Sequence, residues 1–332
     1  MRKILVTGAD GFIGSHLVES LVTLGYDVRA FCYYNSFNHK GWLDYSPTQI
    51  KDNVEIFFGD IRDANCVNKA VRGCDIVFHL ASLIAIPYSY DAPQSYVDTN
   101  VSGTLNVMQA CLNNKVTQVI HTSTSEVYGS AQYVPIDEMH PLVGQSPYSA
   151  SKIGADQIAF SFYCSFNLPV ATVRPFNTFG PRQSARAVIP TIITQLLAGK
   201  SEISLGNLDA TRDFNYYKDT VAGMLSFIGK DKIAGETINI GSGFEISIKD
   251  VAELIAEVVG SPLKIKVENE RMRPANSEVE RLCAANGKAK ALLGWQPKYY
   301  GKEGLKNALT ETVTWFRENA HNNFYNPNKY IK

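Results

Sequence analysis

The first half of the chain alternates short apolar runs with longer stretches of helical period. The runs Lys3–Val6, Asp27–Tyr33, Asn53–Phe58, Asp75–Leu80, Gln118–Thr122 and Pro169–Arg174 predict strands. Between them, Gly11–Leu24, Ala64–Val71, Pro93–Leu112 and Pro147–Phe166 predict helices. Strands that are apolar throughout, without polar alternation, belong to parallel sheets covered on both faces. Strand–helix alternation closes through right-handed crossovers into a doubly wound sheet. The expected fold class is α/β, with a Rossmann-type doubly wound parallel sheet over residues 1–175.

The rhythm changes after Pro175. Loops lengthen through PFNTFGPRQSARAVIP and SLGNLDATRDF, and helices are expected near Val188–Ala198, Lys218–Ile228, Ile248–Val259, Gly287–Leu293 and Glu303–Asn319. Residues 176–332 therefore read as a smaller C-terminal α/β substrate-binding region, partly interleaved with the sheet. The tail HNNFYNPNKYIK suggests no role.

Composition narrows the function. A domain of roughly 100–200 residues is usual, so 332 residues make one large or two medium domains. Lys+Arg and Asp+Glu both number 32, which argues against a global pull toward nucleic acid or an acidic membrane. An anionic ligand must be met by local donors. No run approaches the ~18 apolar residues of a membrane span, and Ile4–Val6 is too short for a signal segment, so a cytoplasmic protein is expected. The six cysteines are scattered without a CxxC, and His16 and His79 lack partners at metal-ligand spacing. Reduced thiols and no metal are expected.

Gly8, Gly11 and Gly14 follow the first strand directly and lead into the first helix. Glycines here permit a tight turn and let backbone N–H groups approach a pyrophosphate, aided by the helix N-terminus. The second strand ends Phe31-Cys32-Tyr33-Tyr34, with no acid for the adenosine ribose and no Arg for a 2′-phosphate. NAD and NADP both stay open. Asp60, after the third strand, suits either the adenine amine or a helix cap.

Tyr148 and Lys152 stand four apart at the start of a long helix, so they share a face. A nearby ammonium is expected to lower the phenol pKa, letting Tyr148 take a hydroxyl proton while hydride leaves for a nicotinamide. His121 to Gly129 reads HTSTSEVYG and begins at the C-terminal edge of a predicted strand, where active sites of open α/β sheets gather. Thr124 supplies a hydroxyl for a sugar oxygen. Glu126 is the telling residue: a carboxylate there can take a proton made acidic by a neighbouring ketone, which hydride transfer alone does not require.

Through Gly8/Gly11/Gly14, Tyr148/Lys152, Arg174-Pro175-Phe176-Asn177 and Arg212-Asp213-Phe214, the chain resembles the extended short-chain dehydrogenase/reductase family over nearly its whole length. Thr124-Ser125-Glu126 before Val-Tyr-Gly is similar to the sugar-nucleotide 4,6-dehydratases, in particular the GDP-mannose type with Ser between Thr and Glu. The dTDP-glucose type usually has Asp at that place. Tyr34–Asn38, Ile84–Tyr90 and Gln183–Pro190 resemble the NDP-N-acetylglucosamine 4,6-dehydratases of legionaminic-acid biosynthesis.

The resemblance implies a cofactor, NAD or NADP, held through every turnover. Gly8, Asp10, Gly11, Phe12, Ile13, Asp60, Ile61, Leu80 and Ala81 would bind it, together with Tyr148 and Lys152. Thr124, Ser125, Glu126, Tyr148 and Lys152 would be catalytic. Tyr88, Asn177, Arg186, Arg212 and Arg273 would meet a nucleotide-sugar, with Arg212 and Arg273 on its diphosphate. Arg174 suits either a structural or a binding role. The implied reaction oxidises C4, eliminates water across C5–C6 and returns hydride to C6. The lysine of C5-inverting relatives is absent, which implies retention at C5. Ser125 in place of Asp leaves the acid for water loss unassigned unless protonated Glu126 serves. Thr-Ser-Glu also occurs in UDP-glucuronate decarboxylases, although YSASK resembles dehydratases. An epimerase or decarboxylase is thus the same-fold alternative, and a silent NAD(P) sensor the alternative of another class. The family pattern also implies a homodimer built on the Pro93–Leu112 and Pro147–Phe166 helices.

Overall fold

The computed structural model describes residues 2–319 and 325–327. Its strands are β1 (Lys3–Thr7), β2 (Asp27–Tyr33), β3 (Val54–Gly59), β4 (Ile76–His79), β5 (Gln118–Thr122), β6 (Val170–Pro175), β7 (Asn177–Phe179), β8 (Glu202–Leu205), β9 (Thr211–Tyr216), β10 (Thr237–Ile240), β11 (Glu245–Ser247) and β12 (Lys264–Val267). In the first half the helices are α1 (Phe12–Thr23), α2 (Thr48–Lys51), α3 (Ala64–Val71), α4 (Ile86–Asp91), α5 (Pro93–Tyr96), α6 (Gly103–Asn113) and α7 (Pro147–Phe166). The second half contributes α8 (Val188–Leu197), α9 (Tyr217–Leu225), α10 (Ile248–Val259), α11 (Gly287–Leu293) and α12 (Gly301–Glu318).

Seven parallel strands form the main sheet in the order β10–β6–β5–β4–β1–β2–β3. The expected Rossmann-type fold is present, and β10 from the second half adds its edge strand beside β6. Strand order reverses between β1 and β4, and the crevice beyond their C-terminal ends is where such sheets bind ligands. Successive β1 residues show the double cover. Ile4 and Val6 join a core with Leu17, Leu21, Met224 and Phe227 on one face. Leu5 joins Val77, Val107, Met108 and Phe162 on the other.

The second half also builds its own core, with Ile192, Ile193, Phe214, Leu254, Ile255 and Leu309 packed around the small sheet β11–β9–β7. The helix expected over Pro93–Leu112 departs from regular α geometry: α5 passes into a π-helical segment, Val97–Ser102, before α6. A π segment adds a residue to the turn, which a 3.6-residue period does not reveal. The distortion brings the buried Asn100 to Leu83, where it accepts from the backbone N–H at 2.8 Å and donates to the C=O at 2.9 Å, and to the Ser151 hydroxyl at 2.9 Å. Asn100 thus ties the segment after β4 to α7.

Helix α7 starts at a capping box in which Ser146 and Ser149 satisfy each other's backbone N–H, with Pro147 in the first turn. Such caps contribute about 1 kcal/mol and fix the helix start. That start sets where Tyr148 and Lys152 stand.

Candidate active site

The turn after β1 is built for close backbone approach. Gly8 has φ +68°, and a Cβ there would lie 2.9 Å from the Ala81 nitrogen at the end of β4. A Cβ on Gly14 would collide with the Gly8 carbonyl. Helix α1 begins at Gly11 with no side-chain cap, so no side chain occupies its N-terminal donors. The Thr7 hydroxyl accepts from the N–H groups of Leu80 and Ala81, both at 3.1 Å. It then donates to His79 Nδ1, whose Nε2 faces the Thr104 hydroxyl at 3.0 Å. His79 is thus a satisfied buried histidine, held well below its usual pKa by burial.

Gly8, Asp10, Gly11, Phe12, Ile13, Leu80 and Ala81 therefore gather where β1 meets β4. Ile61, after β3, is buried against Gly103, where a Cβ would come within 2.9 Å of its side chain. Asp60 is held by Arg62, whose Nε lies 2.9 Å from Oδ1. Asp63, not Asp60, caps α3 through the N–H groups of Asn65 and Cys66. Asp10 reaches the far side of the turn, where it accepts from the Tyr33 N–H at 3.2 Å. A shallow glycine cradle, uncapped helix donors and adjacent apolar side chains are a donor set that fits a dinucleotide.

Tyr148 and Lys152 are both buried, at 6% and 4% exposure. Thr124 caps a 3₁₀ turn, Ser125–Tyr128, by accepting from the Glu126 N–H at 3.2 Å. Burial holds the Tyr148 phenol above its ordinary value, a hydrogen bond with Thr124 pulls it down, and the Glu126 charge pushes it up. This corrects the expectation of a phenol depressed by Lys152: desolvation outweighs the other effects on it. Lys152 itself is lowered to about 8 by burial, with Asp156 opposing. Its Nζ donates to the Thr122 carbonyl at 2.7 Å. Ser125 and Glu126 are buried in the same 3₁₀ turn.

Behind this pair lies a network absent from the sequence expectations. Asp156, one turn beyond Lys152 on α7, accepts from Arg174 Nη2 (2.9 Å), His121 Nε2 (3.0 Å) and the Ser123 hydroxyl (2.6 Å). Burial pushes its carboxyl up, but the His121 hydrogen bond and the Arg174 and Lys152 charges hold it down at about 2. Arg174 also donates to the Tyr128 hydroxyl at 3.0 Å and is buried, which decides for its structural reading. The i+4 spacing from Lys152 was the available signal for Asp156.

The residues expected to meet the substrate stand as follows. Tyr88 is 42% exposed; its ring centre lies 6.2 Å from that of Tyr96, which stands edge-on to Tyr148. Asn177 follows β6, and its Oδ1 is buried with no hydrogen-bond partner. Arg186 is exposed, and its charge acts on the Tyr96 phenol. Arg212 Nη2 lies 3.2 Å from Glu278, while Arg273 Nη1 lies 3.7 Å from Glu126 and 3.9 Å from Glu278. Glu278 thus gathers both arginines beside Glu126, and no spacing rule pointed to it. Arg182, in contrast, turns back onto α1 to pair with Glu19 at 2.7 Å.

A dinucleotide cradle at a strand-order switch, beside a buried Tyr–Lys pair, a carboxylate and two arginines, defines a nucleotide-sugar-modifying short-chain dehydrogenase/reductase of the extended type. Residues 5–308 match the family model for GDP-mannose 4,6 dehydratase, and the chain belongs to that family. It is 33% identical to the UDP-N-acetyl-alpha-D-glucosaminuronate decarboxylase of Bacillus cytotoxicus, over 96% of this chain and 98% of the relative. Among solved structures, it is similar to a double mutant of the dTDP-glucose 4,6-dehydratase DesIV from Streptomyces venezuelae with NAD bound. That match has TM-score 0.83 and 29% identity, and covers 96% of this chain and 98% of the other. It is also similar to the UDP-glucose 4-epimerase of Thermotoga maritima with UDP-glucose, at TM-score 0.86 and 27% identity, covering 96% and 100%.

Proposed function

We propose that this chain is an NAD-dependent nucleotide-sugar 4,6-dehydratase. It converts UDP- or GDP-N-acetylglucosamine to the 4-keto-6-deoxy sugar with C5 configuration retained. The observation that carries this reading is the buried Glu126 carboxylate in the turn capped by Thr124, close enough to Tyr148 for its charge to act on the phenol. Oxidation of C4 needs the Tyr–Lys pair alone. A second base within reach is what elimination across C5–C6 requires. The N-acetylglucosamine nucleotide and the legionaminic-acid branch rest on the sequence resemblance around Tyr34–Asn38, Ile84–Tyr90 and Gln183–Pro190.

NAD would supply the hydride acceptor and donor for this chemistry, and Gly8, Asp10, Gly11, Phe12, Ile13, Asp60, Ile61, Leu80 and Ala81 would hold it. Tyr148 takes the proton of the 4-hydroxyl, with Thr124 hydrogen-bonded to the same oxygen and Lys152 supplying positive charge. The C4 ketone acidifies the C5 proton, which Glu126 removes. Protonated Glu126 then gives that proton to the C6 hydroxyl, which leaves as water. When hydride returns to C6, C5 takes up a proton that balances the one Tyr148 removed from the 4-hydroxyl. Ser125 packs beside Glu126. Arg212 and Arg273 receive the diphosphate, whose geometry matches guanidinium forks. Tyr88, Asn177 and Arg186 border the sugar. Residues 1–175 carry the cofactor and chemistry, and 176–332 mainly the substrate.

The protein acts as a cytoplasmic homodimer in this reading. Val97, Leu105, Phe160 and Phe166 leave apolar area exposed on the helices expected to pair. Among the described residues, no helix is long and apolar enough to cross a membrane.

A decarboxylase is the second reading, favoured by the 33% identical relative and by Arg273 near Glu126. Mass spectrometry of purified protein with UDP- and GDP-N-acetylglucosamine, then UDP-glucuronate, separates them. Loss of one water from an N-acetylglucosamine nucleotide supports the dehydratase. Loss of carbon dioxide from UDP-glucuronate alone overturns it.

A further inference from the structure

An acid at the end of the second strand is the usual device by which a Rossmann sheet holds the adenosine ribose hydroxyls and rejects a 2′-phosphate. Strand β2 ends Phe31-Cys32-Tyr33 and carries none. The structure supplies one from elsewhere. The glycine turn is docked on that strand end, with the Ala9 N–H donating to the Phe31 carbonyl at 3.2 Å. Asp10, the next residue, sets Oδ2 on the N–H of Tyr33, the last residue of β2.

Asp10 is held on its other side too. Its carbonyl accepts the Trp42 N–H at 3.0 Å. Gly41, at φ +58°, packs so closely that a Cβ there would lie 2.8 Å from the Asp10 Cβ. The carboxylate is therefore fixed in place at the strand edge rather than free on a loop. Two of the nearby cations are already engaged. Arg62 is clasped by Asp60, and His39 lies 3.4 Å from Asp44. Lys40 meets Asp44 through its backbone N–H, at 2.8 Å, which leaves its ammonium out of that bond and near the Cys32 thiol. Among the described residues, the strand end thus offers a fixed carboxylate for hydroxyls and, beyond the Lys40 ammonium, no uncommitted guanidinium for a phosphate.

We propose that Asp10 is the specificity-determining residue that makes this site select NAD over NADP, reaching from the glycine turn to the place that an acid on β2 would otherwise hold. This rests on the NAD reading of the site. A ribose diol hydrogen-bonds the carboxylate, whereas a 2′-phosphate meets a fixed like charge.

The test is displacement of NADH fluorescence from the full-length protein by NAD and by NADP, for the wild type, Asp10→Asn and Asp10→Ser. Asparagine keeps an oxygen for the Tyr33 N–H and removes only the charge; serine covers the case in which asparagine misfolds, with thermal unfolding as the fold control. The expected wild-type preference for NAD is 100-fold or more, falling below tenfold in either folded variant, chiefly through tighter NADP. A folded variant with an unchanged ratio overturns the proposal and leaves the NAD reading standing. A wild type that binds neither dinucleotide overturns both.

Discussion

The Asp156 carboxylate lies 2.9 Å from Arg174 Nη2, and both groups are buried behind the Tyr148–Lys152 pair. A buried pair is weak evidence of net stabilisation, but breaking one leaves an uncompensated charge. Asp156→Asn is therefore expected to lower stability by about 3–5 kcal/mol. The carboxyl stands at about 2 in the folded chain, below its ordinary value. Its contribution is thus full above the unfolded pKa and is lost as pH falls through about 2. Urea unfolding at pH 7 should show the loss, and the gap between wild type and variant should narrow in acid. A variant with an unchanged urea midpoint would remove Asp156 as a brace.

Lys152 shows the opposite sign. Burial lowers its folded pKa from 10.5 to about 8. Between those values the unfolded chain binds more protons, so wild-type stability rises with pH across that window. Below it, the buried ammonium costs roughly 3 kcal/mol, from about 1.4 per pKa unit. Its bond to the Thr122 carbonyl returns about 1 kcal/mol. Lys152→Met should thus abolish turnover while raising stability at pH 7 by about 2 kcal/mol. The gain should shrink from pH 8 toward 10. Thermal unfolding across pH checks it, and a less stable variant at pH 7 would contradict the assigned charge state.

Much of this site could be read from the chain because its parts are local. The glycine turn, the Tyr–Lys spacing and the Thr-Ser-Glu run each lie within one element and its flank, where period and turn chemistry act. What escaped depends on distant pairing. Glu278 meets Arg212 only because the loop after β12 folds back over β9, and Asp10 reaches the end of β2 only because the glycine turn docks there. The π segment around Asn100 escaped for another reason, since one added residue leaves the apolar pattern nearly unchanged. The phenol's raised pKa escaped as well, because spacing predicts a neighbouring charge but not the depth of burial.

Gly8 combines a left-handed backbone with contact to Ala81. Gly8→Ala introduces both strain and a clash against backbone that cannot give way. A loss of about 2 kcal/mol or more is expected. Because Ala81 would be pushed from the cradle, NADH affinity should fall by at least tenfold even in protein that folds. Fluorescence titration beside thermal unfolding separates the two effects. Native affinity in Gly8→Ala would mean that the turn does not bear the dinucleotide.

Glu126→Gln distinguishes the two halves of the proposed reaction. Tyr148, Lys152 and Thr124 are untouched, so C4 oxidation should persist, and NADH absorbance should accumulate during a single turnover. Elimination should fall by 10²–10⁴-fold, the usual worth of a positioned base. Quenched-flow mass spectrometry would then find the unreduced 4-keto sugar with its C6 hydroxyl retained. Loss of the Glu126 charge also removes a neighbouring negative charge that raises the Tyr148 pKa, so the oxidation step should extend to somewhat lower pH than in wild type. Arg273, which stands 3.7 Å from Glu126, keeps Glu278 as a partner and should stay in place. Wild-type rates of water loss from Glu126→Gln would assign the C5 proton to another group and remove the observation on which the dehydratase reading rests.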